Sequence, residues 1–454
     1  MGAIDELVSI LPGEVLVTDP DVMEGYRRDR ADLVAAGVPV VVARPALTEQ
    51  VSEIMKWAWR HRVTVVPRGA GTGLAGGANA IDGCVIVCLE RMTALREISS
   101  DDQVAVVEAG VINADLERAA RRHGMFYPPD PGSFEISTIG GNVATNAGGM
   151  RCVKYGVTRD SVLGLEVVLA DGRVLRTGAR SIKNVAGLDL TSLFIGSEGT
   201  LGVITAATVK LRPLPATPPA VFVASFPTLP AAGQAVATIA AAGVTPSMLE
   251  LMDNATINAI EDYRRMDLDR AAAALIVGQA DGPDAAVEAE RIVRLCEQAG
   301  ADYVACTQDP DEADGFIAAR RLAGLALQDV GPTVIEDIGV PRSRLAEMLR
   351  EVEEIARSAD IRVATVGHAG DGNLHPVLIL SDSGQATRDH AIAVAQEICR
   401  AALARGGTVT GEHGVGVLKR DWLADQLDDT AIDVHHQIKA ALDPRGLLNP
   451  GRGW

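Results

Sequence analysis

The residues best suited to chemistry lie in two short motifs, HAGDGNLH at 368–375 and TGEHG at 410–414. The chain has 8 histidines, and three of them, His368, His375 and His413, fall in these motifs. Asp371-Gly372 in the first motif is a two-residue hairpin signal, and its flanks, RVATV and LHPVLIL, are rich in β-branched and aliphatic residues. A hairpin about Asp371-Gly372 sets Gly370 opposite Asn373, Ala369 opposite Leu374 and His368 opposite His375. Directly opposed residues have Cβ atoms about 5 Å apart, so both imidazoles could share one ion. Glu412 supplies a third ligand, giving two imidazoles and one carboxylate around a divalent metal with positions left open. Zn is the expected ion, with Mn or Fe as alternatives. Neighbouring side chains in extended backbone point to opposite faces, so His413 is assigned to substrate as general base and Asp371 to the turn. Two readings compete: strand histidines beside a charged loop, and a zinc hydrolase using the same three ligands.

At 454 residues the chain is too long for one ordinary core, so two or three domains are expected. The net charge of −18, from 42 basic and 60 acidic residues, argues against nucleic acid and anionic membrane surfaces as partners. The N-terminal MGAIDELVSILPGE carries acids where a leader carries bases, and Glu6 breaks the acylation pattern begun by Gly2. No charge falls between Arg212 and Glu250, but seven prolines interrupt that run, so no transmembrane helix is expected. The 6 cysteines form no CxxC pair, which suits a reduced, cytoplasmic protein. Attachment to a membrane would come only through an acceptor partner.

The first residues, 1–37, are expected to form a helical segment. From 38 to 214 the chain alternates short apolar strands with glycine-rich turns, including VPVVVAR, VTVVPRG, GCVIVCL, QVAVVEAG, LGLEVVLADG and GTLGVITAATVKLRP. Helices are expected at Thr48–His61 and Asn113–His123. The proline-rich LRPLPATPP at 211–219 is a domain linker. A second domain, 215–430, follows with an α+β pattern and the metal motifs, and 431–454 returns to the first domain.

The strand VTVV runs into PRGAGTGLAGG at 67–77, a formal G-x-G-x-x-G with Glu90 downstream. A Rossmann unit needs a crossover helix before the next strand. Only residues 77–83 separate Gly76 from the strand at Cys84, and they include two glycines and an Asp-Gly turn, so a Rossmann fold is excluded. Backbone amides unobstructed by side chains still suit a pyrophosphate. Two further small-residue segments, 128–156 and 195–205, imply a large extended ligand such as a dinucleotide.

The segments PRGAGTGLAGG, STIGGNVATNAGG, YG-V-RD, GSEGTLGVIT, GHAGDGNLH, TGEHGVG and DPRGLLNPG together resemble the FAD-linked 2-hydroxyacid dehydrogenases, including glycolate oxidase large subunits and D-lactate dehydrogenases. The resemblance implies an α+β fold. It consists of a two-subdomain FAD-binding domain of vanillyl-alcohol-oxidase (PCMH) type and an α+β cap domain containing an antiparallel sheet. It implies FAD held through Pro67, Arg68, Gly69, Ala70, Gly71, Thr72, Gly73, Leu74, Gly76 and Gly77 at the pyrophosphate. Pro131, Gly132, Ser137, Thr138, Gly140, Gly141, Asn142, Ala144, Asn146, Gly148, Gly149 and Tyr155 would line the flavin and ribityl region. Glu198, Gly199, Gly202 and Ile204 would meet the other end of the cofactor, and Asn449 would return near the flavin. The pyrophosphate loop has no His, Cys or Tyr, so the FAD is expected to be non-covalent.

In AARRLAG, Arg320 matches the family's carboxylate-clamping arginine, with Arg321 as fallback. The branch acting on dicarboxylates has a lysine where Ile335 stands and an Asn where Pro376 follows His375. The implied substrate is therefore a small D-2-hydroxy acid of the lactate or glycolate type. Electrons would pass to an acceptor protein or quinone. The chain acts either alone, with a homodimer allowed, or as the catalytic subunit of a multi-subunit glycolate oxidase. An ether-lipid-synthase-like flavoenzyme is disfavoured by the histidine motif.

Overall fold

The computed structural model describes residues 3–31 and 33–454; Gly2, considered above for acylation, lies outside them. The chain divides into two compact units, one of residues 1–148, 156–214 and 412–454, the other of 149–155 and 215–411.

In the first unit, helix Thr48–His61 buries Val51, Ile54, Met55 and Ala58, the i, i+3, i+4, i+7 stripe of an amphipathic helix. It stops at Arg62, which takes the left-handed conformation (φ 56°). The helix packs into a core shared with strands Val41–Ala43, Val65–Arg68 and Val85–Cys88. These three strands are parallel, and Leu16–Val17 adds an antiparallel edge. Residues 69–84 connect two adjacent parallel strands without any helix, which is why the glycine loop is no Rossmann loop.

A second, antiparallel sheet runs in the order Leu95–Ser99, Val104–Glu108, Val203–Lys210, Val162–Val168, Val174–Gly178. Its two edge strands were not expected from sequence, because both are largely exposed and carry no apolar run. The helical segment expected over 1–37 is only partly helical. Helices span Ala3–Ile10 and Pro20–Glu24, and the described residues of 26–40 include no helix. That stretch instead lies along the glycine loop: Arg30 N–H donates to the Gly73 carbonyl at 2.9 Å, and the Asp29 carboxylate accepts from Ala31 and Ala78.

The second unit is built on an eight-stranded antiparallel sheet. At its centre Met248–Asp253 pairs with Ala274–Ala280 on one side and with Arg362–His368 on the other, and Arg362–His368 pairs with Asn373–Ile379. Helix Pro310–Val330 covers one face; it starts at Asp309, whose carboxylate caps the Asp311 and Glu312 amides. The segment 149–155 belongs to this unit: Lys154 and the Tyr155 hydroxyl both bond Asp281, and Met150 packs against the unit's core. The unit ends at Gly411 and not at 430, because the chain beyond it is tied into the first unit. There the Val417 amide bonds the Ala75 carbonyl at 2.8 Å, and Leu447 and Asn449 bracket Val65 by backbone hydrogen bonds.

Candidate active site

The histidine hairpin forms, but two residues out of the expected register. His368 pairs with Asn373 and Val366 with His375, so the loop holds four residues, 369–372. Two successive turns close it, with the Asp371 amide on the His368 carbonyl and the Gly372 amide on the Ala369 carbonyl. Gly372 takes the positive φ (84°), and the Asp371 carboxylate accepts the Asn373 amide. The Gly370 amide is taken by Leu249 in the neighbouring strand, which a two-residue turn could not arrange. The histidines are therefore diagonal neighbours on one face. Their rings still meet edge to face, with centroids 5.3 Å apart.

A carboxylate accompanies each ring. His368 Nδ1 lies 2.9 Å from both oxygens of Glu250, which is fully buried. The register Leu251↔Gly367, carried one step further, sets Glu250 beside His368. A carboxylate on Nδ1 fixes the tautomer in which Nε2 carries the lone pair, the usual arrangement behind a metal-ligating histidine. His375 Nδ1 lies 3.8 Å from the buried Asp337 carboxylate. Asp337 is itself fixed by Asn373 (2.7 Å), the Thr410 hydroxyl and the Gly411 amide (both 2.8 Å). Thr410 and Gly411 are thereby anchored beside Asp337 within the second unit.

Arg320, on the buried side of its helix, donates from Nε to the same Glu250 at 2.7 Å, while Arg321 is exposed. Burial opposes ionisation of Glu250, but its interactions with His368 and Arg320 outweigh it and hold its carboxyl below the usual range. Glu250 was not found from the sequence. Its only signal is one acid in the otherwise apolar MLELM, a pattern that asks for a buried cation.

In the first unit the Glu412 side chain packs against Gly148, where a Cβ would force its carboxylate to shift. Glu412 and His413 do not point to opposite faces: their Oε1 and Nε2 atoms are 3.8 Å apart, because 411–413 is a bend and not extended chain. Glu198 has φ 50°, and its carboxylate accepts the amides of Val415 and Gly416, both at 2.7 Å. Its backbone amide donates to Ala144, and Asn449 Nδ2 donates to the carbonyls of Glu198 and Gly77. Segments 69–77, 139–148, 195–204 and 449 therefore converge, as a shared ligand would need. Gly71 (φ 71°) lies against the Arg68 guanidinium, and Gly140 against Ala109. Thr138 caps helix Ile139–Thr145, which ends at Asn146 (φ 53°). Of the other expected cofactor residues, Tyr155 bonds Asp281 in the second unit, and Ile204 is buried in the antiparallel sheet. Several buried polar atoms have no protein partner among the described residues: Arg68 Nη1, Ser137 Oγ, Asn142 Nδ2, Ser197 Oγ and Asn449 Oδ1. Buried polar groups are normally paired, so this donor-rich set fits an extended polyanionic ligand.

Residues 39–178 match the FAD binding domain model, and residues 217–452 match the FAD linked oxidases, C-terminal domain model. The chain is 44% identical to glycolate oxidase subunit GlcD of Bacillus subtilis, over 91% of this chain and 89% of that one. It is 37% identical to D-lactate dehydrogenase of Archaeoglobus fulgidus, over 100% and 99% of the two chains. Among solved structures, p-cresol methylhydroxylase with substrate bound matches in fold with TM-score 0.84, at 16% identity over 99% of this chain and 96% of that one. No described helix is long and apolar enough to cross a membrane.

Proposed function

We propose a reaction for this chain from the premise that it belongs to the FAD-linked oxidases and is an FAD-dependent oxidoreductase. It oxidises a small D-2-hydroxy acid, of the lactate or glycolate type, to the 2-oxo acid. The observation that carries the reading is the sharing of Glu250 by Arg320 and His368. It locks a carboxylate-binding cation to a metal-binding imidazole, and a 2-hydroxy acid presents a carboxylate and a hydroxyl on adjacent carbons.

In this reading Arg320 holds the substrate carboxylate through the terminal nitrogens that its Nε bond to Glu250 leaves available. His413 takes the hydroxyl proton at Nε2. His368, His375 and Glu412 hold a divalent cation, Zn in the first instance. Such a cation, when bound, favours loss of the hydroxyl proton by stabilising negative charge on oxygen. The glycine segments hold FAD non-covalently, and bound FAD supplies the acceptor for the α-hydrogen and its electron pair. The packing of Glu412 on Gly148 supports placing substrate activation beside the flavin-lining segment. Glu250 orients His368, and the Asp337 carboxylate stands 3.8 Å from His375 Nδ1. Ile335 and Pro376 offer no cation for a second carboxylate, which favours a monocarboxylate.

Electrons leave to an acceptor protein or quinone, since the 6 scattered free cysteines provide no cluster site. The relatives named as glycolate oxidase subunits support a partnered enzyme. Arg320→Lys tests the reading. Loss of the bidentate fork should raise KM for D-lactate or glycolate about tenfold or more, with FAD content unchanged. An unchanged KM would remove Arg320 from the substrate site.

A further inference from the structure

The side chain of Glu198, a residue expected to meet the cofactor, is tied within the first unit. Both carboxylate oxygens are engaged by the chain itself, Oε1 with the Val415 amide and Oε2 with the Gly416 amide, each at 2.7 Å. Gly414 packs against the same carboxylate, so that a Cβ there would lie 3.1 Å from Oε1. These three residues follow His413 directly. The backbone of Glu198 is fixed as firmly: its amide donates to Ala144 at 2.8 Å, and its carbonyl accepts from Asn449 at 2.8 Å. Its φ of 50° is one that few residues other than glycine adopt, so the surrounding bonds must hold it there.

We infer that Glu198 is a positioning residue for His413, gripping the 414–416 turn from the flavin-lining side of the unit so that the imidazole is held against substrate. The inference rests on the proposed role of His413 as base. An acidic side chain is required because two N–H donors converge on it. A glutamine could accept one of them and would present its own N–H₂ to the other, leaving an unmatched donor pair. Losing one anchor lets the turn shift, and a displacement of about 1 Å at a reacting group costs on the order of 100-fold in rate. The Arg320 carboxylate clamp lies elsewhere in the chain and keeps its own partners.

The test is Glu198→Gln in the FAD-loaded enzyme, followed by anaerobic flavin reduction with D-lactate and glycolate. Flavin reduction should slow about 10- to 100-fold while KM and FAD content stay within about twofold of wild type. In a His413→Asn background the same substitution should add little further loss, because the base it positions is already gone. Three results would overturn the assignment: wild-type reduction rates in the variant, loss of FAD, or full additivity with His413→Asn. If Glu198→Gln does not fold, Glu198→Asn suits the left-handed backbone better, removes the grip through its shorter side chain, and is read in the same way. A wild-type enzyme that no 2-hydroxy acid reduces would reject the proposed function itself. A reducible wild type with an unaffected variant rejects only the role of Glu198.

Discussion

Glu250 binds His368 through both of its oxygens, each 2.9 Å from Nδ1, with its own carboxylate fully buried. Replacing it with Gln removes the charge that sets the histidine tautomer. Metal affinity should fall about 10- to 100-fold, the usual cost of losing such a partner. Metal content after dialysis against buffered free Zn²⁺ measures it, and unchanged content would separate His368 from metal binding.

His413→Asn should slow flavin reduction by about 10²–10⁴-fold, the range for removing a general base. FAD and metal content should be retained, because neither is assigned to His413. The converging ends of Glu412 and His413, 3.8 Å apart, make this division of roles a sharp one. Metal loss in the variant would move His413 into the ligand set.

Gly71→Ala places a Cβ on the Arg68 guanidinium and costs about 1–2 kcal/mol for the left-handed backbone alone. FAD affinity should fall about tenfold or more, visible as a lower ratio of flavin to protein absorbance after gel filtration. Full FAD content would mean that the loop has another ligand.

Asp253 gives a pH dependence of stability. Burial pushes its carboxyl up to about 6 from an ordinary 3.8, against the hydrogen bonds it accepts from Thr256 and Thr365. Between those values the folded state keeps a proton that the unfolded state has lost, so this group's contribution falls as pH rises through the window and is flat above it. The loss amounts to about 3 kcal/mol. Urea midpoints of wild type and Asp253→Asn from pH 4 to 7 should differ in slope, with the steeper decline in wild type; parallel curves would contradict the shift.

Much of this was legible in the residues. The Thr48–His61 stripe repeats over a whole helix, and residues 77–83 are too short for a crossover helix whatever the tertiary context. The hairpin register was misread because Asp-Gly can occupy the last two positions of a four-residue loop as well as the middle of a two-residue one. The deciding contact, Gly370 to Leu249, is with a strand more than a hundred residues away in sequence. Glu250 was missed for the same reason, since its partners His368 and Arg320 are remote in sequence. Helix Ile139–Thr145 is hidden by its glycines and depends on the Thr138 cap and on packing.

In the proposed reaction, bound FAD is reduced by a 2-hydroxy acid activated at the His368–His375–Glu412 motif. Anaerobic titration of the FAD-loaded protein with the D- and L-isomers of lactate and larger homologues, and with glycolate, tests it directly. D-lactate or glycolate should bleach the visible flavin absorbance, the L-isomers should not, and prior treatment with chelator should suppress the bleaching until Zn²⁺, Mn²⁺ or Fe²⁺ is restored. Flavin that stays oxidised with every acid, or that bleaches equally well after the metal is stripped, would contradict the account.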